Sequence, residues 1–159
     1  TPTNRIEFLI GKQLPYIGVG VVNFVILTLI VVFLQQVTLK GSLAVLFVGA
    51  VLYVAATTGI GLLFSSVTKS QVTAVFGTTI LCLLPTLQFS GMVQPVSTLE
   101  GGGRILGTIW PATYYMHLSV GAFTKGLSFA DLMPDLLVLA GFTPVFFIAA
   151  AVFLKKQEA

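Results

Sequence analysis

Charge is what this sequence has least of. Only 8% of its 159 residues are Asp, Glu, Lys or Arg, 56% are hydrophobic, and the mean hydropathy is +1.02. A soluble domain carries roughly a quarter of its residues charged in order to cover its surface, so lipid is the main solvent here. The single cysteine, Cys82, excludes an internal disulfide and reads as a small hydrophobe in an apolar run. One histidine and no clustered carboxylates leave no set of metal ligands. No phosphate-binding loop is present either, since Gly101-Gly102-Gly103 before Arg104 lacks the GxxxxGK[ST] spacing. The net charge of +3 and pI near 9.2 do not mark a nucleic-acid face, because the bases are scattered at helix ends. The chain opens on Thr1 without a signal-peptide pattern and is expected to be a fragment of a longer chain.

About 20 apolar residues are needed to cross the hydrocarbon core. The hydrophobic runs predict spans over 14–36, 43–67, 71–89 and 132–154. Residues 90–131 alternate short apolar pieces with GGG, Pro95, Pro111 and Gly126, too short to span and thus re-entrant or interfacial. The expected fold is an all-α membrane protein of four transmembrane helices, with such exoplasmic helices between the third and fourth. Arg5, Lys12, Lys69, Lys155 and Lys156 would share one side, and Lys40, Arg104 and Lys125 the other. The excess of bases puts both ends of the fragment in the cytoplasm. Trp110, Tyr114 and Tyr115 then suit the exoplasmic interface.

No Asp, Glu, Lys or Arg lies deep in any span, which argues against coupling to an ion gradient. Asn23, Thr57, Thr58, Thr73, Thr78, Thr79 and Gln88 are among the polar residues within the spans. In lipid they must face other helices or a wet pathway. The third span ends unusually, as LCLLPTLQFSGMVQP: Pro85 would kink it, Ser90-Gly91 would let it stop and turn, and Pro95 cannot continue it. Non-helical backbone at membrane depth needs protein or water beside it. At the front, Thr3 or Asn4 can cap a helix and Glu7 suits its first turn. Ile6, Leu9 and Ile10 form an apolar face, and Gly11 and Pro15 would then turn the chain into the first span. Residues 1–13 thus read as an amphipathic cytoplasmic helix, either an anchor or a handle for a partner. An intramembrane hydrolase built on Ser90 or Ser119 with His117 is a rival, without a supporting motif.

Three stretches in order carry a resemblance. TPTNRIEFLIGKQLPY resembles the cytoplasmic segment before the third span of type-2 ATP-binding-cassette (ABC) export permeases. KSQVTAVFGTTILCLLPTLQFSGMVQP resembles that family's fifth span with its F-S-G…P break, and WPATYYMHLSVGAF the exoplasmic segment before its last span. The family includes drug-export-type permeases and the membrane part of a ribosome-associated ATPase. The resemblance implies the C-terminal membrane part of an exporter in the bacterial inner membrane, moving a lipophilic or amphipathic substrate. It implies a nucleotide-binding domain, fused or separate, that holds ATP and Mg, a second permease unit beside this one, and no cofactor on this chain. Residues 1–13 would be the coupling helix, with Arg5, Glu7, Phe8 and Lys12 toward the ATPase. Ser90, Gly91, Pro95 and Pro111 would form an exoplasmic gate, and Asn23, Thr78, Thr79, Pro85 and Gln88 would line the pathway. The contrasting reading is a membrane anchor for a ribosome-associated ATPase with no transport role.

Overall fold

The computed structural model describes the backbone of residues 5–68 and 70–157, and the side chains of 6–68 and 70–153. The side chains of Arg5, Lys155 and Lys156, and all of Lys69, lie outside the described residues. The protein is an all-α membrane protein. Helix α1 (Arg5–Leu29) continues as a π-helical turn, Ile30–Leu34. It is followed by α2 (Leu43–Val67), α3 (Gln71–Phe89), α4 (Gly101–Ile109), α5 (Pro111–Val120), a π-helical turn (Gly121–Lys125) and α6 (Phe129–Gln157). Among the described residues four helices are long and apolar enough to span: Ile6–Leu34, Leu43–Val67, Gln71–Phe89 and Phe129–Phe153.

Helix α2 is the hub. Its buried side includes Val45, Leu46, Ala50, Ala55, Ala56 and Ile60, whereas no residue of α3 is buried. Small residues on that side let neighbours approach. Val45 joins Leu118 of α5 with Leu132, Leu136 and Leu139 of α6 in the apolar core. Helix α6 runs parallel to α2. Gly49 faces Leu136, the Thr143 hydroxyl donates to the Leu52 carbonyl at 3.4 Å, and Gly59 faces Phe146.

Helix α1 runs antiparallel to α2, and its register corrects the expected boundary at residue 13. Gln13 is buried and its amide donates to the Ala55 carbonyl at 2.7 Å and the Thr58 hydroxyl at 3.1 Å. Gly20 packs on Val54, and Phe24 meets Phe47 edge-on at 5.7 Å. At 1.5 Å per residue, Thr58 lies about 13 Å from the end of α2 at Val67, so Gln13 and the adjacent Lys12 lie within the span Ile6–Leu34, against the expectation that no Lys sits deep in any span. The turn expected at Gly11 and Pro15 is not formed: one helix passes through both. Pro15 removes a single backbone donor, a loss that membrane helices tolerate. Leu9 and Gln13, four residues apart and both buried, need helix between them. The end of the bundle with 37–42 and 121–128 is called upper below, and the end with the start of α1 is called lower.

Candidate functional site

Helix α3 packs on α2 with Gly61 beside Thr78 and Gly77 beside the Phe64 ring. Carrying this antiparallel register upward sets Phe89 near the level of Leu52, about 13 Å below the start of α2 at 1.5 Å per residue. The broken span therefore stops part-way along its neighbour. Gly91 takes φ +88, a backbone region in which a side chain is strained, and lets the chain leave the helix axis. Ser90 is buried beside it.

Helix α5 fills the space above. The Trp110 indole N–H donates to Thr86 Oγ1 of α3 at 2.9 Å, fixing the lower end of α5 at the depth of the break. Pro111 occupies its first turn, where no backbone donor is needed, and is fully buried. Buried Thr113 donates to the Gly107 carbonyl at 2.6 Å, and the Phe89 carbonyl at the end of α3 lies 3.3 Å away. Tyr115 stacks on Tyr53 with ring centroids 4.9 Å apart, Leu118 meets Gly49, and Gly41 N–H donates to the Ala122 carbonyl at 2.7 Å. These contacts climb α2 from Tyr53 to the turn before it, so α5 rises antiparallel along its upper half. Burial pushes the Tyr115 phenol pKa up, and a hydrogen bond with Ser119 partly offsets this.

Two cavities lie along α1 and α2. The lower one, about 790 Å³, is bounded by α1, α2 and α3. Lys12 and Tyr16 line it from α1, Thr57, Thr58 and Ser65 from α2, and Thr78 and Thr79 from α3. Several hydroxyls give their protons to their own helix, Thr57 to the Tyr53 carbonyl at 2.9 Å and Thr79 to that of Val75 at 2.8 Å. They therefore turn lone pairs to the cavity. The upper cavity, about 300 Å³, is bounded by α1, α2, Tyr115 of α5 and Phe123. Phe24, Leu27, Leu46 and Tyr53 make its wall apolar, with Asn23 among the few polar groups.

The structure thus brings Thr78 and Thr79 into the lower cavity and Asn23 into the upper one. Pro85 and Gln88 line neither; Pro85 lies inside an unbroken α3, and Gln88 is exposed. Ser90, Gly91 and Pro111 gather around the end of α3, while Pro95 is exposed at the start of a 3-10 turn, Val96–Thr98. Glu7 and Phe8 are exposed at the lower end, and the Lys12 ammonium stands 4.7 Å from the Phe8 ring centroid. His117 faces Asp135 of α6 at 3.8 Å, with no serine in that place, so the hydrolase pairing gains no geometry. Sequence reasoning missed Gln13 and Tyr16. The signal was available in the helical spacing of Leu9, Gln13 and Gly20, and of Lys12, Tyr16 and Asn23.

A helical hub, a third span that ends against a shorter helix and cavities between the helices make this a polytopic membrane bundle. Residues 1–152 match the family described as ABC-2 family transporter protein, and the chain belongs to that family. It is 30% identical over 126 residues to the probable multidrug ABC transporter permease YbhS of Escherichia coli K12, which covers 79% of this chain and 33% of that protein. It is 27% identical over 128 residues to the probable multidrug ABC transporter permease YbhR of the same strain, covering 80% and 34%. The chain therefore spans about a third of the length of these relatives. No solved structure matches it significantly.

Proposed function

We propose that this chain forms the C-terminal membrane part of an ATP-driven exporter that moves lipophilic or amphipathic molecules across the bacterial inner membrane. The observation that carries this reading is the lower cavity, which opens among α1, α2 and α3 beneath the break in α3. A hydroxyl-lined cavity at membrane level suits a passenger with both polar and apolar parts. ATP and Mg would bind a nucleotide-binding domain at the lower end, on the cytoplasmic side, and a second permease unit would pair with this one. The start of α1, with Arg5, Glu7 and Phe8 and with Lys12 one turn on, would receive the push of ATP-driven closure. Because α1 is one continuous helix hydrogen-bonded to α2 through Gln13, a push at its foot would tilt both. Helix α5 with Ser90, Gly91, Pro95 and Pro111 would be the re-entrant upper gate.

The test uses the full-length parent protein with its ATPase in proteoliposomes. Exchange of charges (Arg5→Glu with Glu7→Arg) is expected to uncouple hydrolysis from transport. Rebuilding the break (Gly91→Leu with Pro95→Ala) is expected to stop transport while ATP is still hydrolysed. An ATPase indifferent both to lipophilic compounds and to the rebuilt break would instead mark a membrane anchor, and an absence of any associated ATPase would remove the energy source from this reading.

A further inference from the structure

The two cavities follow one another along α1 and α2. On α2, Tyr53 and Val54 of the upper one stand a single turn from Thr57 and Thr58 of the lower one. On α1, Lys12, Tyr16 and Asn23 recur at intervals that return to one flank of the helix, so the same stripe passes from one cavity into the other. From Lys12 to Phe24 this stripe rises about 18 Å at 1.5 Å per residue. The lining changes character along it. The top is phenyl, phenol and aliphatic surface; the bottom is hydroxyl oxygen with a single ammonium.

The signs of charge are one-sided. Among the described residues Lys12 is the one charged group lining either cavity. The carboxylates of Glu7, Glu100, Asp131 and Asp135 line neither. Lys12 is exposed, and among the described residues its ammonium has the face of the Phe8 ring beside it, a weak partner compared with an anion. An incoming cation would be repelled by that ammonium, and an incoming anion would be its counter-ion.

We infer that these neighbouring cavities bind amphipathic anions: an aromatic or aliphatic body seated among Phe24, Tyr53, Tyr115 and Phe123, with a carboxylate, sulfonate or phosphate head at the Lys12 ammonium. Lipophilic cations of the same shape are disfavoured. The inference rests on the exporter reading above and names the substrate class for it.

The experiment is equilibrium binding to the full-length parent protein in mild detergent, without ATP, so that coupling to the ATPase plays no part. The probes are radiolabelled dodecyl sulfonate and dodecyltrimethylammonium, which share the alkyl chain and carry heads of opposite charge. The wild type is expected to bind the sulfonate at least tenfold more tightly. Lys12→Gln is expected to abolish the preference, Lys12→Glu to reverse it and Lys12→Arg to keep it. Gly20→Leu, which intrudes where Gly20 packs on Val54, is expected to weaken both probes alike by narrowing the seat of the shared chain. Lys12→Arg and Lys12→Gln conserve bulk, so the comparison stands even where the charge reversal fails to fold. Equal affinity for both probes, or a preference that Lys12→Gln leaves intact, overturns the inference. If ATP-driven transport of either probe continues in that case, the exporter reading survives without it; if neither probe binds or moves, both fall.

Discussion

Gln13 is a single amide in an apolar helix, and it fixes the depth of α1. Its two donors reach the Ala55 carbonyl and the Thr58 hydroxyl, so α1 cannot slide along α2 without leaving them unpaired in lipid. Gln13→Leu keeps the bulk and loses both bonds. Polar contacts between membrane helices contribute about 1 kcal/mol, and a destabilisation of that size is expected in reversible detergent unfolding of the full-length protein. No measurable change would mean that apolar packing alone sets the register. Gly41 is held by a different constraint. Its N–H donates to the Ala122 carbonyl at 2.7 Å, and a methyl group at Gly41 would lie 2.9 Å from Ala122 Cα. The obstacle is backbone, which cannot rotate aside as a side chain would. Gly41→Val is therefore expected to separate the turn before α2 from the end of α5 and to lower the unfolding midpoint; Gly102→Val, whose added carbon meets nothing, is the control.

The helices differ in how plainly they could be read. Helices α2 and α3 were legible to the residue, because short polar connections bound their apolar runs on both sides. Helix α1 was not. Glu7, Lys12 and Pro15 suggested a cytoplasmic helix and a turn, yet the burial of Leu9 and Gln13 against the bundle carries the helix straight through. Local signals of polarity and proline yielded to a tertiary contact more than forty residues away in sequence. The break after α3 could be seen in Ser90, Gly91 and Pro95, but what fills the space above it could not. That depends on the Trp110–Thr86 and Thr113–Gly107 bonds, which no spacing announces. These bonds carry the prediction for α5. Trp110→Phe keeps an aromatic ring at the lower end of the helix and deletes the donor to Thr86. Amide exchange over residues 111–115 is expected to speed up, while α2 and α6 keep their protection. Uniform acceleration across all helices would show the bond to be part of global stability, not a local latch.

At the scale of the whole molecule, burial is lopsided, and that bears on which way the bundle faces. Helices α2 and α6 share the parallel core, while α1 and α3 stand on the flanks with Val22, Ile26, Val72, Phe76 and Ile80 uncovered. The flanking pair also bounds the lower cavity, which extends to Thr68, Ser70 and Gln71 at the end where α1 begins. The count of bases, Arg5, Lys12, Lys69, Lys155 and Lys156 against Lys40, Arg104 and Lys125, is the ground for proposing that this end faces the cytoplasm. In the exporter reading the lower cavity would be filled from that side; the opposite orientation would make it a receptor for molecules arriving from outside. Two single-cysteine variants of the full-length parent, in a cysteine-free background, decide between these. Thr124→Cys, exposed at the upper end, is expected to react with a membrane-impermeant maleimide in intact spheroplasts. Ser70→Cys, exposed on the lining of the lower cavity, is expected to react only after the membrane is opened. The reverse pattern would invert the topology, place the coupling residues of α1 away from any cytoplasmic ATPase, and with that remove the exporter reading.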